Sequence, residues 1–172
     1  MKLNVCCGNN KIEGYLNIDA EIKNNPDEVV DLLTSFSKRF SRESVEEILL
    51  FHAIEHLEEI HHKNILIMFY NALIPDGYLY ISYPEFSKIA TNYITNYKGL
   101  RDFWKKTIYG LQRYPGDYHV SLMDTGEFAV LLQECGFKDI EYQSEPKETY
   151  NTIIRCRKGN LPVSYEELIA SI

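Results

Sequence analysis

The sequence predicts a doubly wound α/β domain built on a mostly parallel sheet of seven strands. Short apolar runs that are typical of strands alternate along the chain with segments of helical apolar spacing, and Gly or Pro residues separate many of them. Runs that are apolar throughout, such as residues 48–51, suit strands whose two faces are covered by helices. The 172 residues, 45% of them hydrophobic, supply enough apolar material for the core of one such domain.

Four strands are predicted in the first 52 residues. A glycine turn at Gly8 ends the first strand, and Asp19 ends the second, in which apolar and polar residues alternate. The third is a weak apolar run and the fourth a continuous one. These predicted strands cover residues 3–7, 14–19, 29–32 and 46–52.

Two helices and three strands are predicted after residue 57. The first helix covers residues 58–73 and ends at the breaker sequence 75–77. The second helix begins after Asp124, with Glu127 completing a capping box, and ends at Gly136. The strands cover residues 78–83, 139–143 and 152–157, and we expect the last two to form an antiparallel pair.

We expect one domain over residues 1–159, with an aromatic-rich insertion around residues 85–120. A tail over residues 160–172 reads as a short helix. Its apolar residues would cover a sheet edge or contact a second subunit, so a homodimer stays an open alternative. They are Leu161, Val163, Leu168 and Ile169.

Composition argues against several classes of partner. The 18 basic and 25 acidic residues give a net charge of −7, and no basic stripe is present to bind nucleic acid or an anionic membrane. No apolar run approaches the roughly 20 residues of a membrane-spanning helix. The four cysteines form no Cys-x-x-Cys pair, so we expect free thiols in a reducing cytoplasm.

Two residues at predicted strand ends suggest a ligand site. The turn at Gly8 offers backbone N–H groups to an anionic or zwitterionic ligand, and the missing side chain lets the ligand come close. A carboxylate at the end of the second strand, Asp19, can accept hydrogen bonds from both hydroxyls of a ribose. A solvated turn acid is an equally good interpretation of Asp19 when it is taken alone.

Several segments, in order, resemble a known family. Residues 3–8 look like its first motif and residues 14–19 like its second strand. Residues 51–57 resemble its segment ending in Glu-His-Leu, residues 73–79 its turn into the fifth strand, and residues 109–137 its last part. Over about residues 3–157 the chain is therefore similar to the class I methyltransferases that depend on S-adenosylmethionine.

The resemblance implies S-adenosylmethionine as the cofactor. It also implies that Asp31 and Leu32 border the adenine and that His52 and Ala53 lie beneath the cofactor. The chain departs from the family's pattern at Cys6, where the first motif normally has a glycine, and again at residues 9–10. The predicted cofactor-binding residues are Cys6, Gly8, Asn9, Asp19, Asp31, Leu32, His52 and Ala53.

On the acceptor side, two histidines are candidates for proton transfer. His56 follows the fourth strand and can remove a proton from an acceptor, and His119 lies in the aromatic insertion. For both residues, and for the aromatic candidates, simple packing or local hydrogen bonding is the competing interpretation. The predicted substrate-side residues are Tyr83, Phe86, Tyr109 and Tyr118.

Residues 52–56 also spell His-x-x-Glu-His, the inverted zinc-peptidase pattern. That interpretation requires a helix that places His52 and His56 on one face around zinc, with Glu55 as the base. The buried strand predicted just before these residues argues against the helix, so we expect no metal site. We expect His61 and His62 to be solvated helix residues.

The function predicted from the sequence is methyl transfer from S-adenosylmethionine to a small-molecule or glycan-like acceptor. The main alternative is a degenerate domain of the same fold that binds the cofactor weakly or serves protein interactions, because Cys6 replaces a glycine. A nicotinamide enzyme ranks lower, since the first turn lacks the spaced glycines that a pyrophosphate needs. Neither nucleic acid nor a membrane is an expected partner.

Overall fold

A computed structural model describes residues 1–95, 101–114, 116–146 and 150–159. Seven strands form one sheet in the order β3-β2-β1-β4-β5-β7-β6. The strands are β1 (Lys2–Val5), β2 (Leu16–Asp19), β3 (Glu28–Val29), β4 (Val45–Phe51), β5 (Leu73–Pro84), β6 (Phe137–Ser144) and β7 (Asn151–Lys158). The helices are α1 (Phe36–Arg39), α2 (Glu59–Ala72), α3 (Phe86–Thr95), α4 (Arg101–Tyr109) and α5 (Thr125–Glu134).

The sheet confirms the predicted fold class. Strands β3, β2, β1, β4 and β5 are parallel, and β7 is antiparallel to both β5 and β6. Strand order reverses between β1 and β4, the place where ligands bind in open sheets of this kind. Val5 pairs with Ile18 and with Leu50, so β1, β2 and β4 end at the same edge.

Buried side-chain amides, rather than helices, support the connections among the first three strands. The helical structure between β1 and β3 is limited to one 3₁₀ turn, Ile22–Asn24. Asn17, which is 4% exposed, accepts hydrogen bonds from Asn4 Nδ2 at 2.9 Å and from the Ile12 backbone N–H at 2.8 Å. Its Nδ2 donates to Asp27 at 2.7 Å. This network ties short loops to the strand ends.

The helices pack on the sheet through aromatic side chains. Phe36 of α1 lies 5.2 Å from Phe69 of α2, and both are fully buried. Phe128 of α5 contacts His62 of α2 and Tyr83 of β5, with ring centroids 6.3 Å and 5.6 Å apart. Asp124 caps α5 by accepting from two backbone N–H groups, as predicted.

Several predicted element boundaries were wrong. Strand β3 stops at Val29, since the chain turns at 31–35 to begin α1. The breaker sequence 75–77 lies within β5 as a bulge against β4, with Asp76 at a φ of 58°. The insertion contains helices α3 and α4, which pack on each other.

The predicted tail, residues 160–172, lies outside the described residues. In the part of the chain that the structure does describe, no helix is both long and apolar enough to cross a membrane.

Candidate functional site

The turn after β1 has a left-handed backbone at Cys6, with a φ of 53°, and at Gly8, with a φ of 52°. Glycine adopts this conformation without steric cost, whereas other residues rarely do. A Cβ added at Gly8 would have no neighbour within 4 Å, so the backbone there is open to a ligand. Cys6 packs against the hydrophobic core, and burial raises the pKa of its thiol to about 12. Cys6 thus takes the backbone conformation of a glycine and keeps a neutral thiol.

Asp19 joins this turn to the end of β2. One carboxylate oxygen accepts a hydrogen bond from the Gly8 backbone N–H at 2.8 Å. The other accepts from the Glu21 backbone N–H at 2.8 Å and from Asn24 Nδ2 at 3.1 Å. Asp19 is only 7% exposed, so these bonds hold its carboxylate in one orientation beside Gly8.

The residues predicted to border an adenine follow β3. Leu32 is buried in the core, whereas Asp31 is exposed and its carboxylate accepts from the Thr34 backbone N–H at 2.8 Å and from the Thr34 hydroxyl at 2.6 Å. Asn9, in the first turn, is exposed. These three residues lie at the same edge of the sheet as Gly8 and Asp19.

A left-handed residue also lies at the end of β4. His52 has a φ of 51°, and its backbone N–H donates to the Ser82 carbonyl of β5 at 3.0 Å. Its side chain is exposed, with Nε2 3.1 Å from a carboxylate oxygen of Glu145. The next residue, Ala53, is buried. The sharp turn at His52 directs the chain away from the sheet and into the 3₁₀ turn Ile54–His56.

Glu55 and His56 lie in that turn, and the structure brings His119 beside them. Their rings and carboxylate offer three ligand atoms that all lie within 4.8 Å of one another. The two imidazole rings are 4.9 Å apart in an edge-to-face arrangement. Burial lowers the pKa of His119 below its usual value, Glu55 opposes this shift, and His56 adds to it. A neutral His119 is thereby favoured.

Backbone hydrogen bonds hold the loop that carries His119. The Glu55 carbonyl accepts from the Val120 N–H at 2.9 Å, and the His119 N–H donates to the Tyr109 carbonyl at 3.2 Å. Arg113 donates to both carboxylate oxygens of the buried Asp117, at 2.8 and 3.0 Å. These contacts fix the distance between two histidines that are far apart in sequence.

Among the predicted substrate-side residues, Tyr83 was wrongly assigned. It is fully buried, its hydroxyl lies 3.1 Å from Thr125 Oγ1, and its ring packs on Phe128. Its side chain therefore belongs to the core between β5 and α5. The other three remain exposed: Phe86 by 41%, Tyr109 by 59% and Tyr118 by 47%.

The zinc-peptidase geometry is absent, because residues 52–56 do not form the α-helix that it requires. His62 also differs from the sequence prediction. It is buried, and Nε2 lies 3.2 Å from the Ile54 carbonyl and 3.1 Å from the Leu57 carbonyl. His62 thus supports the turn that carries Glu55 and His56.

The sequence places Glu55 in the zinc-peptidase pattern and in the segment ending in Glu-His-Leu, and it predicts no role for Glu145. Glu55 is 2% exposed, which its position between an apolar residue and a histidine does not reveal. Glu145 follows β6, which ends at the same edge of the sheet as β4, and this brings its carboxylate to His52. The adjacency of Glu55 and His56 in the sequence was the one local indication of this cluster, and it did not indicate that His119 belongs to it.

A surface depression of about 420 Å³ lies elsewhere. Tyr78, Arg155 and Arg157 are part of its lining. Tyr78 pairs with Glu47 near the amino end of β4, so this depression is at the opposite edge of the sheet from Gly8 and His56.

No model of a known protein family matches the chain, and no curated protein matches it. Solved structures do match. A SAM-dependent methyltransferase from Archaeoglobus fulgidus is 14% identical, over 91% of this chain and 85% of that one, with a TM-score of 0.66. One from Methanosarcina mazei is 16% identical, over 92% of both chains, with a TM-score of 0.60.

A third similar structure contains ligands. It is the 1,6-didemethyltoxoflavin-N1-methyltransferase of Burkholderia thailandensis, with bound 1,6-didemethyltoxoflavin and S-adenosylhomocysteine. It is 14% identical over 92% of this chain and 71% of that one, with a TM-score of 0.56. At these identities the likeness concerns the fold, and the chain has the fold of class I methyltransferases.

Proposed function

We propose that the protein transfers a methyl group from S-adenosylmethionine to a small-molecule or glycan-like acceptor. The observation that carries this proposal is the turn at Cys6 and Gly8, which a hydrogen bond joins to Asp19 at the switch point of a methyltransferase-type sheet. When bound, the cofactor supplies a methyl group on a positively charged sulfur. The open backbone at Gly8 and the fixed carboxylate of Asp19 fit this cofactor.

The cofactor side would be formed by residues at the ends of four parallel strands. Backbone N–H groups around Gly8 would bind the amino-acid end, and Asp19 would accept hydrogen bonds from the ribose hydroxyls. Asp31 and Leu32 would border the adenine, with Asn9, His52 and Ala53 at the edges of the same site. Cys6 would contribute its backbone, since its side chain packs against the core.

The acceptor side would be formed by the histidine pair and the exposed aromatic residues. His56 Nδ1 lies 2.9 Å from the Tyr118 carbonyl, which can only accept, so Nδ1 carries the proton. Nε2 then has the free lone pair that a proton acceptor needs, and His119 lies beside it. Exposed ring faces of Tyr109 and Tyr118 suit an acceptor with a flat apolar surface, such as a sugar or an aromatic ring.

Charge supports a small acceptor. The net charge of −7 repels nucleic acid and anionic membranes, and both are excluded by the proposal. The four cysteines are free thiols, which agrees with the reducing cytoplasm that we propose as its location.

A non-enzymatic domain is the second candidate, because Asp19 already accepts three hydrogen bonds within the protein. A carboxylate has about four lone-pair sites, so little capacity is left for two ribose hydroxyls unless one of these bonds is exchanged. In that case the protein would keep the methyltransferase fold but would not catalyse methyl transfer.

Transfer of radiolabelled methyl from S-adenosylmethionine to panels of hydroxylated small molecules, oligosaccharides and nucleic acids tests the proposal. We expect labelling within the first two panels. Labelling of nucleic acid alone would contradict the proposed acceptor class. Binding of S-adenosylhomocysteine without transfer to any panel would favour the non-enzymatic domain.

A further inference from the structure

We propose that Glu55, His56 and His119 form a binding site for a divalent transition-metal ion on the acceptor side. Two imidazole rings and one carboxylate, each with a ligand atom within 4.8 Å of the others, are the starting observation. The sequence predicts no metal site, because His119 is distant along the chain and residues 52–56 suggested only the peptidase pattern.

The buried carboxylate of Glu55 gives independent support. Glu55 is 2% exposed, and among the described residues its Oε2 has no hydrogen-bond partner. The nearest cationic candidate for Oε1, His52 Nδ1, lies 3.7 Å away. Burying a carboxylate oxygen without a partner is costly, and buried charges are normally paired or coordinate metals. A cation among the three residues would supply the partner of Oε2.

His56 is oriented as metal-ligating histidines usually are. Its Nδ1 donates to the Tyr118 carbonyl at 2.9 Å. Such a bond fixes the tautomer and leaves Nε2 with its lone pair. The imidazoles of His56 and His119 are both half-buried, so an ion can reach them from solvent, whereas Glu55 is buried.

The ligand set indicates the kind of ion. Imidazole nitrogens suit Zn²⁺, Co²⁺ and related ions, whereas Mg²⁺ and Ca²⁺ prefer ligand sets made of oxygen. Ligand atoms of zinc lie about 2.0–2.2 Å from the ion, so these three would move closer together by small side-chain rotations. Three protein ligands leave at least one position open, as in catalytic metal sites.

The open position would receive a hydroxyl oxygen of the acceptor, a step that rests on the proposed function. A bound divalent ion lowers the pKa of that hydroxyl, so that its proton passes to solvent water and the electron pair stays on the oxygen. His56 would then act as a ligand and not as the base, since one lone pair cannot do both. The acceptor class narrows to molecules with a hydroxyl group.

The test is Co²⁺ binding to the chelator-treated protein without tag, cofactor or acceptor, followed by visible absorption and calorimetry. We expect one ion per chain for the wild type and a rise in its thermal midpoint. Glu55→Gln, which keeps the shape of the side chain, and His119→Ala should each weaken binding at least about tenfold. His61→Ala, on α2 outside the cluster, is the matched control and should bind like the wild type.

Two results would overturn the site. One is no saturable Co²⁺ binding by the wild type up to millimolar concentration. The other is equal binding by the wild type, Glu55→Gln and His119→Ala, because the ion would then lie elsewhere. A methyl-transfer assay separates this proposal from the previous one: transfer without Co²⁺ binding removes only the metal site, and Co²⁺ binding without transfer removes only the enzymatic function.

Discussion

Replacing Cys6 with glycine should stabilise the protein relative to replacing it with alanine. The left-handed backbone, with a φ of 53°, costs a residue with a Cβ about 1–2 kcal/mol. Glycine avoids this cost but loses about 0.5–1 kcal/mol more backbone entropy on folding. The difference favours Cys6→Gly over Cys6→Ala by about 0.5–1 kcal/mol, although glycine is normally the less stable choice.

Cys7 is the matched control. It is buried next to Cys6 but is not among the residues with positive φ, so Cys7→Gly should be less stable than Cys7→Ala. Urea denaturation followed by circular dichroism gives all four free energies of unfolding. If alanine is as stable as glycine at position 6, the reasoning about the first turn is wrong. Because Cys6 packs against the core, we also expect cofactor affinity to change little in Cys6→Gly.

Three further predictions concern the loops that hold the site. Asn17→Ala should cost about 2–4 kcal/mol in urea denaturation, because Asn4 and the Ile12 N–H lose their buried acceptor; a cost below about 1 kcal/mol would contradict the network. In Gly110→Ala the new Cβ would lie against the Asp117 carbonyl and 3.0 Å from the His119 nitrogen. The free energy of unfolding should therefore fall by at least about 1–2 kcal/mol more than in Gly116→Ala, where φ is also positive but space is open. Equal thermal stability of the two variants would refute the clash. Arg113 holds the pKa of Asp117 at about 2, below the ordinary 3.8, so its stabilisation is complete above pH 3.8 and fades as pH falls towards 2. The wild type should therefore lose its advantage over Asp117→Asn, about 0.5–1 kcal/mol, across that range, and an advantage that is constant with pH would be inconsistent with this pairing.

The strands could be predicted from the sequence because apolar runs and turn residues are local signals. The cap at Asp124 and the left-handed Gly136 were correct for the same reason. The buried amide network among the first three strands could not be predicted, since Asn4 and Asn17 bond across strands. Their alternation with apolar neighbours gave no indication that they were buried.

The residues of the candidate site also fall into those that a local sequence pattern locates and those that it does not. Gly8 and Asp19 are at strand ends, which a sequence pattern locates, and the structure joins them by one hydrogen bond. Tyr83 was misassigned because alternation along β5 does not tell which face carries α5. The pairing of His56 with His119 depends on backbone bonds across the sheet edge, and no local pattern encodes them.

Cofactor binding is the central claim, and thermal unfolding with and without S-adenosylhomocysteine tests it most directly, with NAD as the comparison. A ligand at about 100 times its dissociation constant adds about 2.7 kcal/mol, and each kcal/mol moves the midpoint of a protein of this size by about 2–4 °C. We predict a rise of about 5–11 °C with S-adenosylhomocysteine and none with NAD. No shift with S-adenosylhomocysteine, or an equal shift with NAD, would contradict the cofactor site at Gly8 and Asp19.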